Sequence, residues 1–156
     1  MNSSAYDDKI NSLRATIAWM DLVMANVNES IVVLDKEWQI IFANSYLADT
    51  LDSDRVMLLG KSLWDMVPML KARNKVGSKL PLKSVADLNG IYDLKYKSIT
   101  IKLLLRGKYV KALNQAVCIM SDVSVELEAE KALMKLHQEN TKLKNEIAGL
   151  KKKLLD

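Results

Sequence analysis

The stretch from Glu126 to Leu154 constrains the fold more than any other part of the chain. Its apolar residues recur at alternating spacings of three and four, as the seam of a coiled coil requires. The a positions of this repeat are Leu133, Asn140, Ile147 and Leu154, and the d positions are Ala129, Leu136, Leu143 and Leu150. The spacing predicts a long helix whose narrow apolar seam pairs with a second copy.

The residue types within the seam predict a parallel homodimer. A β-branched residue at a, Ile147, combined with leucines at d favours two parallel strands. Asn140 at a buried a position can satisfy its amide only against its twin, which costs stability but fixes the register. Glu139 at g would pair with Lys144 at e of the partner. The alternative, a solvated amphipathic helix packed on its own domain, would need a wider apolar stripe.

This part of the sequence resembles a leucine zipper without a DNA-reading half. The residues that enter the seam are Glu126, Glu128 and Glu130, where a basic zipper has the basic residues that bind phosphates. We therefore do not expect direct DNA binding. The coil is interpreted as a dimerisation or output rod, either native to the chain or a fused zipper.

Length and composition set further limits. With 156 residues, the chain before the rod is long enough for one globular domain. No apolar run approaches the roughly 18 to 20 residues of a membrane helix, and Met1–Asn11 does not resemble a secretory leader, so we expect a cytoplasmic protein that does not bind membranes. Cys118 is the only cysteine, which excludes a disulfide framework and a thiolate metal cage.

The first segment of the chain predicts an amphipathic helix. Apolar residues recur by three and four between Tyr6 and Val27, with Trp19 among those that widen the apolar surface. We expect this helix at the dimer interface. The residues proposed to form that contact are Ile10, Leu13, Ile17, Met20 and Met24.

Between the two helices the pattern changes to that of an antiparallel sheet of about five strands. A hairpin is predicted first, and short capped helices follow it up to Pro68. Gly107-Lys108 and Asn114-Gln115 are predicted turns, whereas Lys71–Asn89 has no clear period and Pro81 prevents one helix through it. The predicted strands are Ser30–Asp35, Trp38–Asn44, Ile91–Tyr96, Ser98–Arg106, Tyr109–Leu113 and Ala116–Met120.

The order of these pieces resembles that of a PAS domain. The resemblance is carried by Asn28–Asp35, by Phe42-Ala43-Asn44, by Gly60–Asp65 and by the exit Val117–Ser124, and it covers roughly residues 30–124. It implies an α+β fold in which short helices flank a five-stranded antiparallel sheet. The predicted division is an N-terminal helix (1–27), a PAS domain (28–124) and a coiled-coil helix (125–156).

The resemblance also implies candidate site residues. It places Asn44 at the mouth of a cavity and Trp64 on its helical wall, with Val33, Phe42, Leu103 and Cys118 as lining. The alternative for each is a plain core or turn-capping role. The exit Asp122-Val123-Ser124 would transmit the signal, with Asp122 or Ser124 capping the following helix.

The residues that chemistry would require are missing from the sequence. The single histidine, His137, lies at an exposed e position of the rod, and no nucleotide-binding glycine motif is present, so we do not expect an enzyme. A histidine-ligated haem is disfavoured because no histidine lies between Asn28 and Ser121. Cysteinyl-flavin photochemistry is disfavoured because Ser45–Leu59 contains no cysteine. Any cofactor is therefore an unidentified small molecule.

Three functions remain open. The first is a cytoplasmic sensory and dimerisation module that relays a signal through the coil to an output domain or partner protein. The second is the sensory fragment of a transcription regulator, histidine kinase or cyclase. The third is a structural dimerisation adaptor that binds no ligand.

Overall fold

A computed structural model describes residues 3–72 and 80–155. The chain forms two compact units, one reaching to Asp122 and the other starting at Val123. The helices of the first unit are α1 (Ser3–Ala25), α2 (Ser45–Thr50), α3 (Arg55–Leu58), α4 (Leu63–Met66), α5 (Pro68–Ala72) and two 3₁₀ segments (Leu82–Leu88 and Lys111–Leu113). Its strands are β1 (Ser30–Leu34), β2 (Ile40–Ala43), β3 (Gly90–Tyr96), β4 (Ile99–Val110) and β5 (Gln115–Asp122). The second unit is one helix, α6 (Ser124–Leu155).

The five strands form one antiparallel sheet in the order β2-β1-β5-β4-β3. The first strand of the sequence therefore lies inside the sheet, between β2 and the last strand. Ser30 pairs with Met120 at one end of the β1–β5 ladder, and Leu34 pairs with Ala116 at the other. This arrangement confirms the predicted α+β fold with a five-stranded sheet and flanking helices.

Alternation along the strands gives the sheet two different faces. The inner face, which includes Val32, Leu105 and Cys118, is buried beneath the short helices and the first 3₁₀ segment. Trp38 and Trp64 meet edge to face beneath them, with ring centroids 5.3 Å apart. The outer face, which includes Val33, Phe42 and Val117, is only half-buried. The core of the unit therefore lies on one side of the sheet.

The predicted turn at Gly107-Lys108 is wrong, because β4 continues through it as a strand of 12 residues. Gly107 pairs with Cys118 on β5. A Cβ at this position would lie 2.4 Å from Cγ2 of Val85 and 3.0 Å from the Val85 carbonyl oxygen. The glycine is required because the 3₁₀ segment approaches the strand closely, and the chain does not reverse there.

The hairpin between β1 and β2 starts later than the sequence predicted. Trp38, expected to open the second strand, lies in the preceding turn with φ at 64°, and β2 begins at Ile40. The indole Nε1 of Trp38 donates a hydrogen bond of 2.7 Å to the Leu80 carbonyl, and the Trp38 backbone carbonyl accepts one of 2.9 Å from the Leu63 amide. Burial of this ring fixes the turn, although a positive φ is unfavourable for a bulky residue.

The span Lys71–Asn89, which has no clear period in the sequence, contains helical residues on both sides of its undescribed part. α5 ends at Ala72, residues 73–79 lie outside the described part, and Pro81 directly precedes the 3₁₀ segment. Within that segment Leu82, Val85 and Leu88 are buried, a spacing of three that suits a 3₁₀ helix. No α-helical period is visible in this span, because a 3₁₀ helix repeats every three residues and an α-helix about every 3.6.

The two long helices carry exposed apolar side chains. On α1, Leu13, Trp19 and Leu22 are exposed, whereas Ile10 and Met24 are half-buried. α6 has 32 residues and buries none of them in a single chain. The predicted C-terminal helix is confirmed, while its pairing with a second copy stays a prediction. No helix in the described ranges has the length and apolar character of a membrane span.

Candidate functional site

The structure divides the six candidate cavity residues between several environments. Leu103 and Cys118 point to the inner face, where Trp64 joins them in the hydrophobic core. Val33 and Phe42 form a cross-strand pair on the outer face. Because the sheet separates the two groups, the six residues do not line one cavity, and the predicted cavity is wrong in this respect. The role of each residue towards a ligand stays a prediction.

The inner group has core packing. Cys118 is fully buried beside Val32 and Gly107 on neighbouring strands. Burial raises the pKa of its thiol to about 12, since the buried thiolate loses its hydration. The thiol is therefore protonated at neutral pH and lacks the thiolate that reactive cysteines use.

Asn44 holds the end of β2 and the start of α2 in place. Its side-chain Oδ1 accepts hydrogen bonds from the amides of Ile31 (3.0 Å) and Leu47 (3.2 Å), and its Nδ2 donates one of 2.8 Å to the Glu29 carbonyl. The residue is 1% exposed. Its side chain serves the turn-capping role that the sequence left open as the alternative.

The outer face forms an apolar groove with α1, which sequence reasoning missed. Ile17, Met20 and Met24 of α1 lie opposite Val33 and Phe42, and the space between them measures about 450 Å³. The remaining residues of the groove are Asp21, Ile31 and Val117. Two of the residues predicted to line an internal cavity thus line a surface groove. Three of the predicted dimer contacts of α1 face the same space.

A second pocket lies beside α2 and α3. It is lined by Asp49, Asp52, Ser53 and Asp54 and measures about 430 Å³. Within residues 3–72 and 80–155, acids, histidines and cysteines form no cluster of three able to hold a metal ion. The Asp52-Ser53-Asp54 run precedes α3, where the sequence predicted a helix start.

A polar cluster lies where the sheet ends, next to the predicted exit. Oε1 of Glu29 accepts hydrogen bonds from Ser121 Oγ (2.8 Å) and from an Arg106 guanidinium nitrogen (2.9 Å). The same nitrogen lies 3.4 Å from Ser121 Oγ. Glu29 and Arg106 were not predicted, because they are 77 residues apart in the sequence. Glu29 directly precedes β1, whereas Arg106 lies within β4 opposite Ile119 of β5, so neither residue carries a local signal for the other.

The predicted exit residues follow this cluster in sequence. Asp122 is the last residue of β5, Val123 follows it, and Ser124 is the first residue of α6. The Leu127 amide donates a hydrogen bond of 3.0 Å to the Val123 carbonyl, which closes the first turn of the helix. The capping role of Asp122 or Ser124 stays a prediction.

The residues proposed for the coil lie at heptad spacing along α6 and are open to solvent. Leu143 is 55% exposed and Ile147 52% exposed. Asn140 lies between them and Leu133 and is also exposed. The remaining seam residues, Leu136, Leu150 and Leu154, are exposed as well.

Several solved structures share this fold. The chain is similar to the PAS domain of an HTR-like protein from Haloarcula marismortui, with 18% identity, a TM-score of 0.52 and coverage of 70% of this chain and 98% of that one. It is similar to a domain of a sensory box sensor histidine kinase/response regulator from Geobacter sulfurreducens, with 12% identity, a TM-score of 0.53 and coverage of 78% and 100%.

A further similar structure is an RNA-binding light-oxygen-voltage receptor, with 12% identity, a TM-score of 0.57 and coverage of 78% of this chain and 37% of that one. No family model matches the sequence, and no curated protein matches it either. Identities this low carry the fold alone. The sheet and its flanking helices therefore have the PAS domain fold.

Proposed function

We propose that this chain is a sensory and dimerisation module, which relays a conformational change from its PAS core through α6 to an output domain or partner protein. The observation that carries the proposal is the seam of α6. A helix of 32 residues without one buried side chain in the single chain repeats leucines at d and holds Asn140 at a. Leaving such a seam in water is unfavourable, and pairing it in parallel buries both copies.

The connection between core and seam supports the relay. Only Val123 separates the last residue of β5 from the first residue of α6. β5 lies between β1 and β4, so a change in the middle of the sheet reaches the start of the helix through one continuous strand. The exposed apolar side chains of α1, among them Leu13, Trp19 and Leu22, offer further apolar surface for the partner copy. We expect the homodimer to be parallel.

The test of this function is the mass of the intact protein in solution. Sedimentation velocity at micromolar concentration should give a dimer, and spin labels at Lys131→Cys and Lys152→Cys, both f positions, should each give one short distance between copies. Short distances at both sites require parallel helices. A monomer, or a short distance at neither site, would refute the proposal.

A structural dimerisation adaptor is the second candidate, and the packing of the core favours it. Three of the residues proposed to line a cavity belong to one buried hydrophobic cluster and are each at most 5% exposed. These residues are Trp64, Leu103 and Cys118. Native mass spectrometry and an absorption spectrum of the purified protein separate the candidates. A small molecule retained in stoichiometric amount supports the sensor, whereas a protein that keeps only its polypeptide mass across a metabolite panel supports the adaptor.

A further inference from the structure

The polar cluster of Glu29, Arg106 and Ser121 lies one position beyond the end of the β1–β5 ladder. The last paired residues are Ser30 and Met120. Glu29 and Ser121 are the next residues outward on the two strands, and they are joined by a side-chain hydrogen bond of 2.8 Å. The ladder is therefore extended by side chains at the place where the chain enters β1 and leaves β5.

Both segments held by this cluster lead to long helices. Glu29 follows the end of α1 at Ala25 by a short connection, and Ser121 precedes the start of α6 at Ser124. The Glu29 carbonyl is itself fixed by Asn44, whose other side-chain atom holds the amides of Ile31 and Leu47. One buried amide thus anchors the backbone of the residue whose carboxylate restrains β5.

The strength of the cluster suits a contact that opens without unfolding the core. The Arg106 and Glu29 side chains are 52% and 37% exposed, and ion pairs this open to water contribute little to stability. The neighbouring pair of Lys102 and Asp93 has almost the same exposure, at 45% and 37%. That pair joins residues already opposite each other on β4 and β3. The two pairs therefore differ in what they connect and hardly at all in exposure.

We propose that Glu29, Arg106 and Ser121 form a releasable latch, which couples the segment leaving α1 to the segment entering α6. When the latch is closed, a displacement of the α1–β1 connection moves Ser121 and with it the start of α6. When it is open, the two segments move separately. This inference rests on the proposed relay through α6 and assigns its regulation to a specific carboxylate.

The latch is tested in the full chain by Glu29→Ala and Glu29→Gln, with Asp93→Ala as the control that removes the matched ion pair. Spin labels at Lys131→Cys report the start of the coil and labels at Lys152→Cys its end. Loss of the carboxylate should replace the single distance peak at position 131 by a broad distribution and leave the peak at 152 unchanged. Asp93→Ala should preserve both peaks.

Two further variants test whether the three residues act together. Arg106→Ala should broaden the distribution at 131 as Glu29→Ala does, and the double variant should broaden it no further, because both substitutions open the same contact. Ser121→Thr keeps the hydroxyl and should keep the peak, whereas Ser121→Ala should lose it. A structural role alone would alter the melting temperature without separating the threonine from the alanine variant.

Amide hydrogen exchange at residues 123–127 gives a second readout that needs no dimer. Exchange there should accelerate in Glu29→Ala and remain at the parent rate in Asp93→Ala. An unchanged rate together with an unchanged distance at 131 would overturn the latch while leaving a dimeric relay intact. A monomeric parent would overturn the proposed function, and the exchange rates would then decide the latch by themselves.

Discussion

The sheet core and α6 differ in where their apolar residues find partners. In the core, Leu34, Leu105 and Met120 lose at least 99% of their exposure within one chain. In α6, Leu143 and Ile147 keep more than half of theirs. The core is thus complete in a single copy, whereas the helix carries an apolar seam that only another surface can cover. The residues that complete the fold and the residues that leave an apolar surface uncovered therefore lie in separate parts of this sequence.

The largest expected difference between the core and α6 comes from truncating a leucine of the seam. Leu143→Ala should weaken the dimer by about 2 to 5 kcal/mol for each buried side chain, because the methyl groups it removes are buried only on pairing. The unfolding of the core, followed by the fluorescence of its buried tryptophans, should remain as in the parent. Sedimentation equilibrium measures the first effect. Asn145→Ala, at an f position, is the control and should leave the dimer unchanged.

Two glycines should respond to alanine with opposite signs. Gly107→Ala places a Cβ 2.4 Å from Val85 Cγ2 and should destabilise the core by about 1 to 3 kcal/mol. Gly149→Ala, which meets nothing within 4 Å, should stabilise α6 by about 0.5 to 1 kcal/mol. Urea unfolding with separate probes for sheet and helix measures both. Equal signs would show that the close approach at Gly107 is relieved by a shift of the 3₁₀ segment.

Alkaline pH should act on the core through Cys118. The unfolded thiol ionises from its ordinary pKa of 9.0, whereas the folded pKa is raised to about 12. The folded state therefore holds its proton longer, and this contribution to stability, complete below pH 9, is lost as the pH rises towards 12. At pH 10 the loss should be on the order of 1 kcal/mol.

The measurement is the slope of unfolding free energy against pH in the parent and in Cys118→Ala. The alanine variant should lack this component of the slope, whatever its stability at neutral pH. Parallel slopes from pH 8 to 11 would contradict the burial of the thiol. The midpoint for dissociation of the proposed α6 dimer should be the same in the parent and in Cys118→Ala, since the helix contains no cysteine.

The smallest expected effect is on the number of copies that assemble through the coil. Asn140→Leu should raise the melting temperature of the coil, because a polar group no longer has to be buried, and should admit assemblies larger than a dimer. Native mass spectrometry counts the copies. A variant that melts lower and stays strictly dimeric would show that the assigned heptad phase is wrong.

Local periodicity was enough to predict the sheet, but contacts distant in sequence were beyond its reach. β1, β3 and β5 follow from β-branched and alternating runs, and the α6 seam follows from its heptads. A glycine is a local turn signal, so the sequence predicts a turn at Gly107, whereas the glycine is required because Val85 approaches it in space. The 3₁₀ segment was missed because its period of three matched neither template.

For the candidate site, the pairing of β1 with β5 is enough to separate two of the predicted lining residues. Cys118 pairs with Val32 and Val33 with Val117, so Val33 and Cys118 lie on opposite faces by alternation alone. The register of β1 against β5 decides this placement, and neither strand reveals it by itself. The contact of Glu29 with Arg106 depends on the register of β4 against β5 as well. Both omissions come from long-range pairings that involve β5.

The position of β1 inside the sheet also sets an order of events during synthesis. Ser30 is made long before Met120, its partner on β5, so the β1–β2 hairpin must wait with one edge open, and a lone hairpin is only marginally stable in water. The strand that closes this edge is followed directly by α6 as the chain is made from its N-terminus. The strand that completes the sheet is therefore synthesised before the seam, so that the proposed pairing of α6 with a second copy would follow the synthesis of the whole core.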